Sequence, residues 1–539
     1  MKNFCRDTVL RRTCIKEPDM KTDQIKDIVI VGGGTAGWMA ASAISKIMNR
    51  MDVNITLVES ETIGTVGVGE ATIPQIQLFN RLLEIDENDF IKRTQATFKL
   101  GIEFINWGHV GERYFHPFGS YGIDMEGIHF HQFWEKAKQN NPDLPPLSDY
   151  CLQAAAAKQN KFTRPLNIDR SPLKKIAYAF QFDAGLYALF LRQLAEKHGA
   201  KRIEGKVISV SQNSENGFIE TLTLESGQII EGDFFIDCTG FRGLLIEKTL
   251  KAGYKDWSTM LPVNHAVACA CTQDEDPIPY TRATAKEAGW QWRIPLQHRL
   301  GNGYVFSDKF LSGEDAEKEL MGSLEGKPLA DPKHIKFTTG HRKKFWDKNC
   351  LSLGLAAGFM EPLESTSIHL IQTGLSRLMA QFPDKNFNQK DIDYYNKRTE
   401  DEYIRVRDFL ILHYKASVRD DTPFWQYIQD MPLPDKLREK MDLYQENGRI
   451  FREDNELFNE TSWLAVMHGQ GLRPKSYHPV ADVLSDEELT VRLSDIHNSV
   501  TKSADYMPPH IDYIRENCEA GEENFMPKTA GKTKRISVT

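Results

Sequence analysis

Several short stretches carry side chains with chemistry in reach. In "ATFKLGIEF", Lys99 stands among Phe98, Leu100 and Ile102. A lysine in an apolar run ordinarily snorkels its ammonium to the surface. If buried, it loses hydration and its pKa falls toward the range where it can donate to or attack a small electrophile. "EPLESTSI" offers Glu361 and Glu364, then Ser365, Thr366 and Ser367. A carboxylate there could stabilise a cation or accept its proton, although either glutamate could equally be a plain helix-start residue. The hydroxyls and amides that follow, at an expected helix start, favour an anion. "GWQWRIPL" alternates Trp290 and Trp292 on one strand face, a pattern that in isolation reads as core filling. "YFHPFGSYG" supplies His116 and Phe118, for which ordinary packing is the plain alternative. "HFHQFW" places His129 and His131 on one expected strand face, with no acid or cysteine partners near, so no metal site is expected.

Such side chains need a scaffold, and the chain announces one early. "DIVIVGGGTAGWMAASAISKIM" reads as an apolar strand from Ile28 to Val31, then Gly32, Gly34 and Gly37 in G-x-G-x-x-G, then an alanine-rich helix through Thr35 and Ala36. The glycines permit a tight turn and leave a helix N-terminus aimed at a pyrophosphate. A second strand alternates Val53, Ile55 and Leu57 and ends at Glu59, placed to meet a ribose hydroxyl. "GDFFIDCTGFRG" adds a strand from Phe234 to Ile236, then Asp237, Gly240 and Gly243. "NCLSLGLAAGF" adds a strand through Leu353 and a glycine turn at Gly354. Two late returns to the first nucleotide fold are the habit of FAD enzymes of the aromatic-hydroxylase type, so FAD is preferred to NAD. Phe182, Asp183, Leu186 and Leu189–Leu194 suggest a further helix on the cofactor side.

Bulk properties set limits. The chain has 539 residues and a formal net charge of -8, so the basic surplus of a nucleic-acid binder is missing. No apolar run reaches the ~18 residues of a membrane span. Eight scattered cysteines without a second close pair favour free thiols in a reducing cytoplasm. The expected fold is α/β, a Rossmann-like FAD domain assembled from separated segments, with a sheet-rich insertion carrying GWQWRIP. Residues 1–25 are expected to form a flexible extension, with Met20 an alternative start. Residues 26–390 form the core, 391–518 a mainly helical substrate-side region, and 519–539 a disordered tail.

"GGGTAGWMAA", "GVGEATIPQ", "TFKLGIEF", "DCTGFRGLLI", "GWQWRIP", "GNGYVFS", "EPLESTSI" and "DTPFW" occur in the order found in flavin-dependent halogenases of the tryptophan-halogenase type, and the chain resembles that family from about residue 26 to 425, more weakly beyond. The resemblance implies halogenation by FADH2, O2 and chloride or bromide, through a flavin C4a-hydroperoxide attacked by halide to give hypohalous acid. It makes Lys99 the residue that delivers or activates the halogen and Glu364 the assisting carboxylate, with Glu361 the rival. Thr366 and Ser367 become the halide contacts, though many relatives have glycine at the second. His116 and Phe118 become substrate-side rings. Trp290 and Trp292 become the gate that fills the flavin pocket and keeps the arene away. It also implies a separate NAD(P)H-dependent flavin reductase, working by diffusion if not by docking. An aromatic hydroxylase is the alternative, and a non-enzymatic flavin protein a third reading.

Two departures stand out. "GLAAGF" replaces the acidic turn that contacts the flavin chain in aromatic hydroxylases. "RIFREDNELFNETSWLAVMHGQGL" lacks the paired tyrosines and FW step with which tryptophan-specific relatives hold the free amino acid. An indole-like arene is therefore expected in preference to tryptophan.

Overall fold

The computed structural model describes residues 23–61, 69–453 and 455–521. The expected N-terminal extension up to residue 22, the start of "GVGEATIPQ", and the tail from residue 522 lie outside the described residues. A six-stranded sheet is built around Asp27–Val31, which lies between Phe234–Asp237 and Asn54–Glu59, all parallel. Cys350–Ser352 extends it beyond Phe234–Asp237, again parallel, so the two late returns do rejoin the first nucleotide fold. These strands are nearly continuous apolar runs because helices cover the sheet. Thr35–Ile47 packs on the sheet and against the predicted cofactor-side helix, which runs Ala184–Lys197.

A second sheet has seven strands. Leu300–Phe306 and Gly289–Pro295 form its central antiparallel pair, followed by Thr281–Ala285, Gly101–Ile105 and Arg113–Pro117. A small third sheet joins Gly69–Ala71 and Thr97–Lys99 to Ala179–Asp183. Lys99 therefore ends one short strand, and Gly101 opens a strand of the large sheet. The 27-residue helix Gln389–Lys415 opens the helical region and drives a buried stretch near its C-terminus, Phe409 to Tyr414, against Phe104 of the large sheet and Trp107 just beyond it.

One expected element is wrong. His129 and His131 do not share a strand; His129 caps the helix Phe130–Asn140 and His131 lies in its first turn, where its Nε2 meets the Gly448 carbonyl at 2.7 Å. Apolar residues Phe130, Phe133 and Trp134 recur at helical spacing and outweigh the short alternation of the histidines.

Candidate functional site

The nucleotide end is built by close approach. Gly32 takes φ +112°, and a Cβ there would stand 2.2 Å from the Cys238 carbonyl oxygen. At Gly33 a Cβ would meet the Glu59 carboxylate at 1.4 Å, so the middle glycine is also required. Gly34 caps the following helix without a side-chain bond, and no acid stands in its first turn, which leaves that positive end open to an anion. Glu59 ends its strand ion-paired to Arg202.

From this cradle a cavity of about 1470 Å³ extends along the carboxyl ends of the parallel strands. It exceeds the roughly 300–1,000 Å³ of ordinary small-molecule pockets. Gly32, Gly34, Thr35, Ala36, Glu59, Gly240 and Gly354 line one end; Trp290, Trp292, Ile294 and Thr366 line the other. A long, two-ended ligand with a central anion and a broad apolar head fits these walls, and FAD has that form. Gly37 instead packs under the turn, where a Cβ would be 1.8 Å from the Gly32 carbonyl.

Asp237 is corrected: it does not line the cavity. Its carboxylate is fully buried and accepts from the amides of Thr239, Leu245 and Ile246 and from the Thr239 hydroxyl. Those four bonds spend its acceptors on folding the turn that presents Gly240.

At the far end, the sequence "EPLESTS" forms a one-turn helix, Pro362–Glu364, then Ser365 at φ 58°, and then the helix Ser367–Ala380 with Thr366 as its cap. The left-handed residue makes the chain turn sharply, so Glu364 and the helix start face different spaces. Ser365, Thr366 and Ser367 line the cavity. Lys99 lies behind Ser365, fully buried, and its Nζ donates to Ser365 Oγ at 2.9 Å. The Phe118 ring centroid is 5.3 Å from the same nitrogen. Burial lowers the Lys99 pKa to about 7, against the opposing pull of the Glu364 carboxylate.

His116 is also corrected. It is not an open ring for stacking a substrate; it is 3% exposed, and its Nδ1 lies 3.0 Å from both oxygens of Glu364. The alternating strand Arg113–Pro117 turns His116 inward toward that carboxylate. A second histidine went unnoticed in the sequence. His413 Nε2 lies 2.7 Å from Glu364 Oε1, off the line of the ring N–H, while its Nδ1 meets the Tyr114 hydroxyl at 3.1 Å. Burial alone would raise the Glu364 pKa, but His116 and then His413 hold it down at about 2. The helical spacing of "FLILHY" was the only sequence signal for His413.

Glu361 occupies a different place. Its Oε2 accepts from Trp290 Nε1 and, at 2.6 Å, from the Tyr414 hydroxyl. The two glutamates three residues apart are thus held by different partners: Glu361 by Trp290 and Tyr414, Glu364 by His116 and His413.

The parallel sheet, glycine cradle and long cavity define an FAD-binding oxidoreductase fold. The profile of the tryptophan halogenase family matches residues 27–486. A tryptophan 6-halogenase of Streptomyces albogriseolus is 33% identical over 92% of this chain and 99% of its own. A tryptophan 7-halogenase of Lentzea aerocolonigenes is 35% identical over 85% and 91%. A solved flavin-dependent halogenase from Xanthomonas campestris superposes with TM-score 0.89 at 47% identity, covering 92% of this chain and 99% of that one. Another from Brevundimonas sp. BAL3 gives 0.88 at 44%, with the same coverage. The chain belongs to the tryptophan halogenase family: it is a flavin-dependent halogenase.

Proposed function

We propose that the protein halogenates an electron-rich, indole-like arene, using FADH2 from a separate NAD(P)H-dependent reductase, O2, and chloride or bromide. The observation that carries this reading is Ser365, which lines the flavin cavity and also accepts the hydrogen bond of Lys99. A small oxidant formed in the cavity would therefore have one side chain between it and the lysine. Bound FADH2 with O2 supplies the oxidising equivalent that turns halide into hypohalous acid. Gly32, Gly34, Thr35, Ala36 and Glu59 would hold the nucleotide end, with Gly240 and Gly354 lining the same walls. Thr366 and Ser367 would hold the halide at a helix start. Trp290 and Trp292, which line the cavity, would fill the space beside a bound flavin head and exclude the arene and bulk water.

Lys99 then holds hypohalous acid next to the ring, as an ammonium donating a hydrogen bond or as an amine carrying the halogen. Attack by the ring leaves a cation, which Glu364 faces as a carboxylate fixed by His116 and His413. It stabilises that cation and takes its proton. Phe118 supplies an aromatic wall beside Lys99.

Free tryptophan is not the substrate favoured by the remaining surface. In the stretch that replaces the family's amino-acid clamp, Glu453 pairs with Lys436 and Glu456 with Lys440, so these acids are already engaged. Phe458 stacks on Phe409 at 3.8 Å and lies near His116, making this side apolar. Among the described residues no helix is long and apolar enough to cross a membrane, and the six described cysteines are unpaired, which supports a reducing cytoplasm.

Mass spectrometry of reactions with a flavin reductase, NADH, FAD, O2 and bromide or chloride tests the reading. Indole and substituted indoles should gain the halogen's isotope pattern, tryptophan little, and Lys99→Ala should abolish the signal. Oxygen insertion into the arene without halide would instead establish a hydroxylase.

A further inference from the structure

Trp290 is held differently from the aromatic rings behind it. Its ring lies 6.5 Å from Trp107, which in turn packs edge-on against Tyr414 and Trp425 at 5.4 and 5.9 Å. The indole N–H groups of Trp107 and Trp425 donate to backbone carbonyls, of Ala283 and Lys286. That of Trp290 donates to a side-chain carboxyl, Glu361, which has no exposed surface. One oxygen of that carboxyl takes both the indole and the Tyr414 hydroxyl; the other, Oε1, is buried with no partner. A buried carboxyl left half-satisfied is unfavourable, and a packing role alone would be met better by an apolar side chain. Burial pushes its pKa up to about 7, against the two donors that oppose the rise.

The second donor links this wall to the lysine site. Tyr414 follows His413 in the last turns of Gln389–Lys415. Consecutive residues on a helix point about 100° apart, so one turn sends His413 to Glu364 and Tyr414 to Glu361. The short helix Pro362–Glu364 is gripped at both ends by the same long helix, with Pro362 and Leu363 facing the flavin cavity between them.

We propose that Glu361 is the positioning residue of the tryptophan gate: its carboxyl, tied to the long helix by Tyr414, fixes the Trp290 ring against the flavin cavity. This rests on the reading of Trp290 as a gate in a halogenase. Without the carboxyl, the indole loses the acceptor of its N–H bond while its packing neighbours remain. The ring then swings within the cavity wall, water reaches the flavin side, and reducing equivalents leave as hydrogen peroxide instead of halogenated product.

The test has two arms on the full chain. In the first, the protein with reductase, FAD and bromide is assayed for brominated indole and for hydrogen peroxide at equal FAD occupancy. Glu361→Ala should lower the product-to-peroxide ratio by about fivefold or more, the effect of two lost hydrogen bonds. Glu361→Gln, whose amide oxygen accepts the same two bonds, should restore most of it. Tyr414→Phe should lower the ratio by about twofold to threefold, and its effect in the Glu361→Ala background should be smaller than in the wild type, because Tyr414 and Trp290 share the Glu361 acceptor. In the second arm, the flavin-free protein labelled with 15N at tryptophan is followed by NMR, with the Trp290 indole resonance assigned through Trp290→Phe. That resonance should broaden or move in Glu361→Ala and return near its place in Glu361→Gln.

An unchanged ratio with an unmoved indole resonance in Glu361→Ala overturns the proposal, as does a Gln variant as impaired as the Ala variant in both arms. If Glu361→Ala does not fold, Tyr414→Phe and Glu361→Gln carry the test. A wild-type protein that brominates nothing would sink the halogenase reading, while the indole resonance would still report whether Glu361 positions the ring.

Discussion

Lys99 is a poor choice for stability and a good one for chemistry. The unfolded chain keeps its proton up to about 10.5, whereas the folded protein releases it near 7. Between those values the unfolded state binds more protons, so this group's contribution to stability rises with pH; at and below pH 7 its penalty is complete. Lys99→Met should therefore abolish halogenation yet stabilise the fold by about 1–3 kcal/mol at pH 7. Calorimetric melting should show the advantage shrinking as pH rises from 7 toward 10. The same titration should give product formation a limb centred near pH 7. Glu364→Gln removes the carboxylate that favours the ammonium, so the limb of the residual activity should move to lower pH. A stopped-flow pH series would follow both. The apolar neighbours Phe98, Leu100 and Ile102 made burial of Lys99 credible, but alternation puts them on the opposite face, and only a fold that covers both faces buries the lysine as well. The role of His116 was not legible, since its partner lies 248 residues away and only the fold decides whether an inward histidine meets a ligand or a carboxylate.

Among elements, the helix Gln389–Lys415 is the one whose importance the sequence understated. Its apolar spacing predicted a helix, but a period gives a buried face without naming what that face touches. Rotation by one residue would bring either Tyr414 to Glu364 or His413 to Glu361 and leave the other glutamate without its partner. The strand Gly289–Pro295 was the opposite case: alternation alone placed Trp290 and Trp292 together, and both line the cavity. His413→Leu offers an element-level prediction. With one of its two histidines gone, the Glu364 pKa should rise from about 2 toward the ordinary range. Because the ionised form is required, halogenation should then fail on acidification at a higher pH than in the wild type. A rate profile between about pH 3 and 6 would read the displacement, with melting temperature as the control for folding.

Across the whole molecule, the nucleotide fold was readable because each of its contacts is written in a short motif. The join between the ends of the chain was not. His510, in the helix His510–Asn517, accepts the Phe98 amide proton at its Nε2, 3.2 Å away, and contacts the Pro277 carbonyl through Nδ1 at 2.7 Å. Both ring nitrogens are used, and burial holds the ring neutral by lowering its pKa to about 4. His510→Ala strands the Phe98 amide beside Lys99 and should lower the melting temperature by about 1–3 °C. Halogenation measured well below that temperature should fall as well, since the strand Thr97–Lys99 loses its outer tether. The partners of this bond are 412 positions apart. On a ribosome adding about 5–20 residues per second, that interval lasts roughly 20–80 seconds. Throughout it the nascent chain already holds a complete glycine turn and its lysine strand, but not the piece that sets the strand in place. Delivery of the halogen at Lys99 thus waits on one of the last described helices to emerge, well after every wall of the flavin cavity has been made.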